Sequence, residues 1–337
     1  VARVLVVDPQ APNEEGIAEA VRVLRSGGLV ALPTETVYGL GARAFDATAI
    51  ARVFEAKGRP AHHPLIAHVL DESQARAQAA FWPEQASRLA RAFWPGALTL
   101  VVDRAAHVPR ELAGGGESIA VRAPSHLVAR AVIAALGEPV AAPSANRYQG
   151  ISPTTALHVV HQLGDRIDLV LDAGACESGI ESTVVDVRGG VARVLRPGAV
   201  DLAALRVFVP NLAVLAEQAA SGMPPASPGM GARHYAPSVP LRLAGGRYEA
   251  WQMAMELAAK ARRVGLLILE TNEIAPSHPA VAVRVLPHEA ARYARLLYLT
   301  LHELDDAHVD AIVVEEVPGD EAWWAIADRL RRASHQD

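Results

Sequence analysis

The chain is poor in several residue types, and each shortage excludes something. There is one cysteine, Cys176, in 337 residues. A single thiol rules out an internal disulfide framework and a cysteine-based zinc site. Lysine is nearly absent: of 32 basic residues only Lys57 and Lys260 are lysine. Apolar runs such as 264-VGLLILE-270 are strand-length, well short of the roughly 18 residues of a membrane span. No positive-then-apolar leader opens the sequence, which therefore reads as a cytoplasmic protein with no membrane partner. The net charge of −5 argues against a broad basic face that coats nucleic acid, and leaves room for a local basic pocket. Walker A, G-x-S-x-G, H-E-x-x-H and G-x-G-x-x-G patterns are all missing, so the common nucleotide-loop, hydrolase and metalloprotease classes find no support.

What is present is a folded, two-domain composition. Hydrophobic residues make up 51% and charged residues 20%, enough apolar surface to offset chain entropy. The length exceeds what one core usually fills. The scarcity of lysine singles out Lys57, because a compact point charge does what a rigid, always-charged fork does not. Lys260 sits in an ordinary helical stretch and reads as chance.

Residues 14–28 have apolar groups at helical spacing and end on Gly27–Gly28, and a buried strand, 29–33, follows. Helical patterns recur near 47–57, 84–93, 126–136 and 153–162. Short β-rich runs recur at 65–69, 98–102, 118–122, 168–172, 182–187 and 191–195. Some strands follow one another directly, which predicts a mixed sheet. Proline and glycine crowd into 221–240, a linker that also carries Arg233, His234 and Tyr235. Beyond it, strands at 241–244, 264–270, 281–286 and 311–317 alternate with helices at 247–262, 288–306 and 321–333, the order of a small parallel α/β domain. The expected organisation is a domain over 1–206, a linker and active-site lid over 207–240, and a second domain over 241–337.

Five segments carry chemistry. The run 33-PTETVYGLGARA-44 places Thr34, Glu35, Thr36 and Tyr38 at a strand end, where α/β sheets hold ligands. In 57-KGRPAHHPLIAHV-69, Lys57 and Arg59 lie two apart on an irregular Gly-Pro segment, a point charge beside a fork, suited to a polyphosphate. His62, His63 and His68 follow without a matching acid or cysteine set, so hydrogen-bonding roles are favoured over a metal site, and His68 also reads as a core histidine. In 118-SIAVRAP-124, Arg122 sits in an apolar strand and needs a counter-charge: an internal salt bridge or a ligand carboxylate. The loop 141-AAPSANRYQGISPTT-155 gathers Ser144, Asn146, Ser152 and Thr154 before a helix expected to start at 152. Ser182, Thr183 and Arg196 mark strand ends in 179-GIESTVVDV-187 and 195-LRPG-198. Such a set fits transfer of a phosphorus group by positioning and charge neutralisation, without covalent catalysis.

Taken in order, PTETVYGLG, KGRP…PLIAHV, RAP, APSAN…G…SPT and STVVD…RPG resemble the YrdC-type L-threonylcarbamoyladenylate synthases over about residues 10–200. The linker run 227-SPGMGARHYAP-237 and the α/β domain after it resemble the long, two-domain form. The resemblance implies a YrdC-like twisted mixed sheet with flanking helices and a deep basic concavity, plus a smaller C-terminal Rossmann-like parallel α/β domain. It implies a nucleotidyltransferase that makes threonylcarbamoyl-AMP and pyrophosphate from L-threonine, bicarbonate and ATP. Mg2+ is implied with ATP, and no carboxylate cluster points to protein ligands for it. The product would pass to a downstream transferase complex that modifies adenosine next to the anticodon of tRNA.

By motif match, Arg122 takes the threonine carboxylate, with Thr36, His68, Ser182 and the backbone of Ala142 around it. Lys57 and Arg59 fall on the ATP phosphates as the catalytic pair. His63, Ser118, Ser144, Asn146, Ser152 and Arg196 fall around the nucleotide, and Tyr235 covers the site. The family usually shows Asn where this chain has His63, a change that could make binding pH-sensitive. Two other readings stand beside this one. An RNA-binding or ribosome-associated module would use the same concavity, against the net acidity and the lack of interleaved aromatics. A carbamoyl-transfer maturation factor would need cysteine-rich segments that a chain with Cys176 alone does not carry.

Overall fold

The computed structural model describes residues 2–214, 234–271 and 278–335. The middle of the expected linker, including Arg233, lies outside the described residues. Two compact units are present. Among the described residues the first takes 2–148, 153–177 and 181–214, and the second takes 149–152, 178–180, 234–271 and 278–335.

The first unit runs β1 (Arg3–Val6), α1 (Glu14–Arg25), β2 (Val30–Leu32), β3 (Gly39–Arg43), α2 (Ala47–Lys57), β4 (Ile66–His68), α3 (Glu72–Arg76), α4 (Glu84–Phe93), β5 (Leu98–Asp103), β6 (Ser118–Arg122), α5 (Leu127–Leu136), β7 (Val140–Ala141), α6 (Ala156–Leu163), β8 (Leu169–Asp172), β9 (Thr183–Asp186), β10 (Arg193–Arg196), α7 (Leu202–Phe208) and β11 (Ala213–Val214). Its sheet has eleven strands in the order β1-β8-β2-β3-β7-β4-β6-β5-β9-β10-β11. Pairing is mixed: β4 runs parallel to β6, while β7 runs antiparallel to both β3 and β4. The helix signals act as the residues dictate. Glu14 and Glu15 open α1, Arg22 and Arg25 close it, and each sign faces the opposite end of the helix dipole. Ile17, Ala20, Val21 and Leu24 of α1 pack with Val128, Val132 and Ile133 of α5 against β2 and β8. Asp46 caps α2 by accepting from Ala49 N at 3.0 Å, and Gly58, at φ 64°, ends it.

Several elements escape sequence reading. β1, RVLV, is a valine-rich run outside the expected strands; it is an edge strand whose Val4 and Val6 point to solvent and which pairs with β8. β3 is glycine-rich and is built by pairing, between β2 and β7. A Cβ on Gly41 would stand only 3.0 Å from Val30 O and 3.1 Å from Val140 Cγ1, so any larger residue would need its neighbours to give way by a few tenths of an ångström. The helix expected to start at Ser152 starts at Ala156, because Thr155 is the cap and accepts from His158 N at 3.3 Å.

The second unit runs β12 (Leu241–Ala244), α8 (Arg247–Ala259), β13 (Val264–Leu269), β14 (Val281–Leu286), α9 (Ala290–Asp306), β15 (Ala311–Glu315), a 3-10 turn (Glu321–Trp323) and α10 (Trp324–Ser334). Its four strands are all parallel, in the order β12-β15-β13-β14. β13 is buried along its whole length, as a central parallel strand requires. Among the described residues no helix is long and apolar enough to cross a membrane.

One contact fixes a strand that matters below. Gly198 lies directly on the backbone of Glu181, Ser182 and Thr183, where a Cβ would overlap. Ala199 N donates to Glu181 O at 3.0 Å, and Thr183 Oγ1 donates to Val200 O at 2.6 Å, so the chain after β10 clasps the start of β9. Gly198→Ala is expected to cost about 1–3 kcal/mol, the usual range for overpacking. A lowered urea midpoint of the full chain checks this; an unchanged midpoint would mean that the 181–183 segment shifts freely.

Candidate active site

The strand ends of the first unit collect buried cations. Arg122 closes β6 and is 3% exposed. Its Nη1 donates to Thr36 Oγ1 at 2.8 Å and its Nε to Gly96 O at 3.2 Å. Its Nη2 stands 2.7 Å from Glu35 Oε1, so the internal counter-charge foreseen for this arginine exists. Thr36 is fixed in turn by Thr34, whose Oγ1 lies 2.9 Å from Thr36 Oγ1. In the parallel β4–β6 pair His68 is in register with Arg122. Burial, and then the nearby Arg122 charge, push the His68 imidazolium well below the ordinary histidine range, so His68 is neutral. Ala142 follows β7, and its N–H is committed to Ile66 O at 2.9 Å.

A second group of side chains meets at the start of β9. Ser182 Oγ lies 2.7 Å from Thr99 Oγ1 on β5. Arg196, closing β10, donates from Nη2 to Ser182 O at 2.9 Å and to Ser182 Oγ at 3.2 Å. Arg196 thus reaches its partner through the strand pair β9–β10, and the hydroxyl of Ser182 is held from both sides.

Lys57 anchors the third group. It is the last residue of α2, at the end of the helical pattern read over 47–57, and the irregular Gly-Pro segment begins after it. The left-handed Gly58 then turns the chain to Arg59. Lys57 Nζ donates to Ser144 O and to Asn146 O, each at 2.6 Å, with Asn146 Oδ1 at 3.4 Å. All these acceptors are neutral amide oxygens; among the described residues no carboxylate pairs with Lys57. Burial and the neighbouring Arg59 charge hold its ammonium well below the usual lysine value. Arg59 donates from Nη2 to Pro64 O at 3.0 Å. Ser144 and Asn146 therefore meet Lys57 through their carbonyls, and the Asn146 amide donates to Arg147 O at 2.7 Å.

His63 is half-buried between His62 and Tyr148, with Tyr148 Oη 3.4 Å from its Nε2. Burial, then Arg59 and His62, lower its pKa to about 4. The pH sensitivity expected of this residue is thereby displaced to the acid range. Ser118 opens β6, half-buried and in register with Asp103. Two expected site residues belong to the second unit. Ser152 is fully buried there, and its carbonyl faces His302 Nε2 at 3.2 Å. Tyr235 has a positive φ of 61° and is 1% exposed, stacked on Tyr298 at 5.9 Å with the Arg329 guanidinium 5.1 Å from its ring centre. Its ring is thus packed inside that unit.

Two participants were visible in the sequence but not assigned. Glu35 is the acid that meets Arg122, and its place between two threonines of PTET was the available signal. Thr99 lies in an apolar strand and carried no signal beyond its hydroxyl. Cys176 is buried, which pushes its thiol up to about 12, so it is no nucleophile at neutral pH. Among the described residues no group of three or more His, Cys, Asp or Glu side chains could hold a metal ion.

Two family descriptions match. "Telomere recombination" matches residues 22–198, and "Threonylcarbamoyl-AMP synthase, C-terminal domain" matches residues 200–335. Several curated relatives match over nearly the whole length. The threonylcarbamoyl-AMP synthase of Bacillus subtilis is 38% identical, covering 98% of this chain and 96% of the relative. The chain belongs to the threonylcarbamoyl-AMP synthase family. The synthase of Pyrococcus abyssi is 39% identical over 96% of this chain and 95% of its own length. A crystal structure of the P. abyssi protein complexed with L-threonine superposes with a TM-score of 0.91 at 36% identity, covering 98% of this chain and 97% of that one. Escherichia coli YciO, at 26% identity and a TM-score of 0.56, covers 61% of this chain, a likeness to part of it.

Protonation in this synthase-family site can be tested directly. An unfolded histidine takes its proton near the ordinary value of 6.5, whereas folded His63 takes one only near 4. His63 therefore costs no stability above pH 6.5 and lowers stability as the pH falls from 6.5 towards 4. In an NMR titration between about pH 5 and 8, the ring protons of His63 and His68 are expected to stay put while exposed histidines move. A midpoint near 6.5 for His68 would contradict its burial beside Arg122.

Proposed function

We propose that the protein condenses L-threonine, bicarbonate and ATP into threonylcarbamoyl-AMP and pyrophosphate. The observation that carries this reading is Lys57: a buried ammonium met by neutral carbonyl oxygens, with Arg59 close enough to repel it. Among the described residues no carboxylate meets Lys57, and an anion of high charge density would complete its surroundings. A triphosphate supplies that anion, and its binding relieves the repulsion. Arg122 supplies the second half, a guanidinium at the strand end suited to an α-carboxylate.

The chemistry follows from this division. The amine of threonine forms a bond to the carbon of bicarbonate, whose hydroxyl leaves with a nitrogen proton as water, giving a carbamate. A carbamate oxygen then attacks the α-phosphorus of ATP and pyrophosphate leaves. Both steps are bimolecular in solution and gain from being held in one place, with the developing phosphate charge neutralised by fixed cations. In this reading Lys57 and Arg59 hold the phosphates. Arg122, Thr36, neutral His68, Ser182 and the backbone of Ala142 enclose threonine. His63, Ser118, Ser144, Asn146 and Arg196 fall on the nucleotide side, and the motif match adds Ser152 and Tyr235 there. Among the described residues no cluster of His, Cys, Asp or Glu forms a resident metal cage. Mg2+ belongs to this reading only as part of the ATP substrate, carried on its phosphates with water. The product serves a tRNA-modifying transferase in the cytoplasm, which completes the proposal.

Pyrophosphate release with L-threonine, bicarbonate and ATP tests the reading. Lys57→Ala is expected to lower release about 100-fold or more while the protein stays folded, as loss of a charge-stabilising donor does. Unchanged turnover would remove Lys57 from the site. Arg122→Ala is expected to raise the threonine concentration for half-maximal rate by about 100-fold and leave the ATP requirement within about threefold. Equal effects on both substrates would contradict the assignment of Arg122.

A further inference from the structure

Glu35 is not explained by the roles above. It is 6% exposed and sits between Thr34 and Thr36. Its Oε1 stands 2.7 Å from Arg122 Nη2, yet the contact is not an aligned hydrogen bond: Oε1, Oε2 and Arg122 Nη2 all lack a hydrogen-bond partner among the described residues. A buried carboxylate beside a buried guanidinium, neither satisfied by the other, is costly unless something else completes both. The charges facing Glu35 are Arg122, and more distantly His126 and the thiol of Cys176, which its charge helps to keep protonated. Among the described residues nothing in that surround supplies the missing donors.

A free amino acid would. It is itself a neutral pair, one carboxylate and one ammonium on a single carbon. Inserted at an Arg–Glu pair, its carboxylate takes the guanidinium and its ammonium takes the carboxylate. No net charge enters the buried site, and every unsatisfied atom gains a partner. We propose that Glu35 binds the α-ammonium of threonine and accepts the proton that the ammonium must lose before it can react. This rests on the synthase reading above.

The step balances. The ammonium passes one proton to the Glu35 carboxylate. The freed lone pair forms the N–C bond to bicarbonate. The second nitrogen proton leaves with the bicarbonate hydroxyl as water, and the carbamate remains. Glu35 returns its proton to solvent as the product departs. Threonine is thus selected by both ends, and a ligand with the carboxylate alone leaves Glu35 unmatched.

The test compares L-threonine with 2,3-dihydroxybutanoate, in which a hydroxyl replaces the amine, by calorimetry on the full chain. The wild-type protein is expected to bind threonine at least about tenfold more tightly, the usual scale for a charge-assisted pair. Equal binding by the wild type would overturn the proposal without any substitution being made. In Glu35→Gln that preference is expected to collapse to within about twofold, with the dihydroxy acid bound as well as before and ATP binding retained. Pyrophosphate release should fall about 100-fold or more, the range of a lost proton acceptor. If Glu35 only props Arg122, both ligands weaken together and the preference survives, which overturns the proposal. Glu35→Asp keeps the charge and is expected to keep the preference; its loss there would also count against the role. Absence of threonine-dependent pyrophosphate release from the wild type would instead sink the synthase reading, a separate result.

Discussion

Taking a cation out of water obliges the fold to surround it with oxygen, and the first unit does this in different ways. Arg122 is met by a carboxylate and a hydroxyl. Arg196 is met by the carbonyl and hydroxyl of Ser182. Lys57 is met by two backbone carbonyls. The difference decides what each place can receive. A carboxylate cancels the charge, so the Arg122 region is electrically neutral and suits a zwitterion. Carbonyl dipoles lower the energy of an ammonium without cancelling it, and among the described residues no carboxylate meets Lys57, an arrangement that suits a phosphate chain. The strands and turns that bring these oxygens into reach are the ones whose geometry is least free: the glycine-rich β3, the two-residue β7, and the Gly198 clasp on β9.

Much of this was legible in the residues. Apolar runs marked the central strands of both units, because burial on both faces leaves a continuous run of branched side chains whose short length identifies a strand. The rarity of lysine gave Lys57, and an arginine in an apolar strand gave Arg122. What was illegible has a common cause. β3, glycine-rich, is a strand through its neighbours' backbone groups and its side chains carry little β signal, whereas β1 is a valine-rich run that was open to reading as a strand. Thr155 rather than Ser152 caps α6 because two candidate caps lie three apart and only the structure decides. Glu35 was read as one polar group among several, since the identity of an arginine's counter-charge is a long-range fact. For His63, sequence gives a titratable group near neutrality, while its half-burial beside Arg59 removes that property.

The second unit shows the same logic with an aromatic. Tyr235 adopts a left-handed backbone, which a bulky side chain takes only when its surroundings compensate. Here Tyr298, His234 and the Arg329 guanidinium enclose the ring. Arg329 is itself 1% exposed and bonded to Asp328 at 2.8 Å, so a charged pair lies beneath an aromatic stack. A sequence reader sees a proline-rich spacer with a useful tyrosine; the fold makes that tyrosine part of a core.

The parallel register of β4 and β6 sets His68 beside Arg122. Side chains alternate across a sheet with a period of two, so adding or deleting one residue within either strand would turn that strand's functional group to the opposite face. These two short stretches therefore tolerate a change of residue more readily than a change of length. Growth of the chain is confined elsewhere, to places such as the exposed Gly189–Gly190 turn between β9 and β10, where an insertion changes no pairing. Descendants of this fold can therefore vary what surrounds the amino-acid site far more readily than the spacing that builds it.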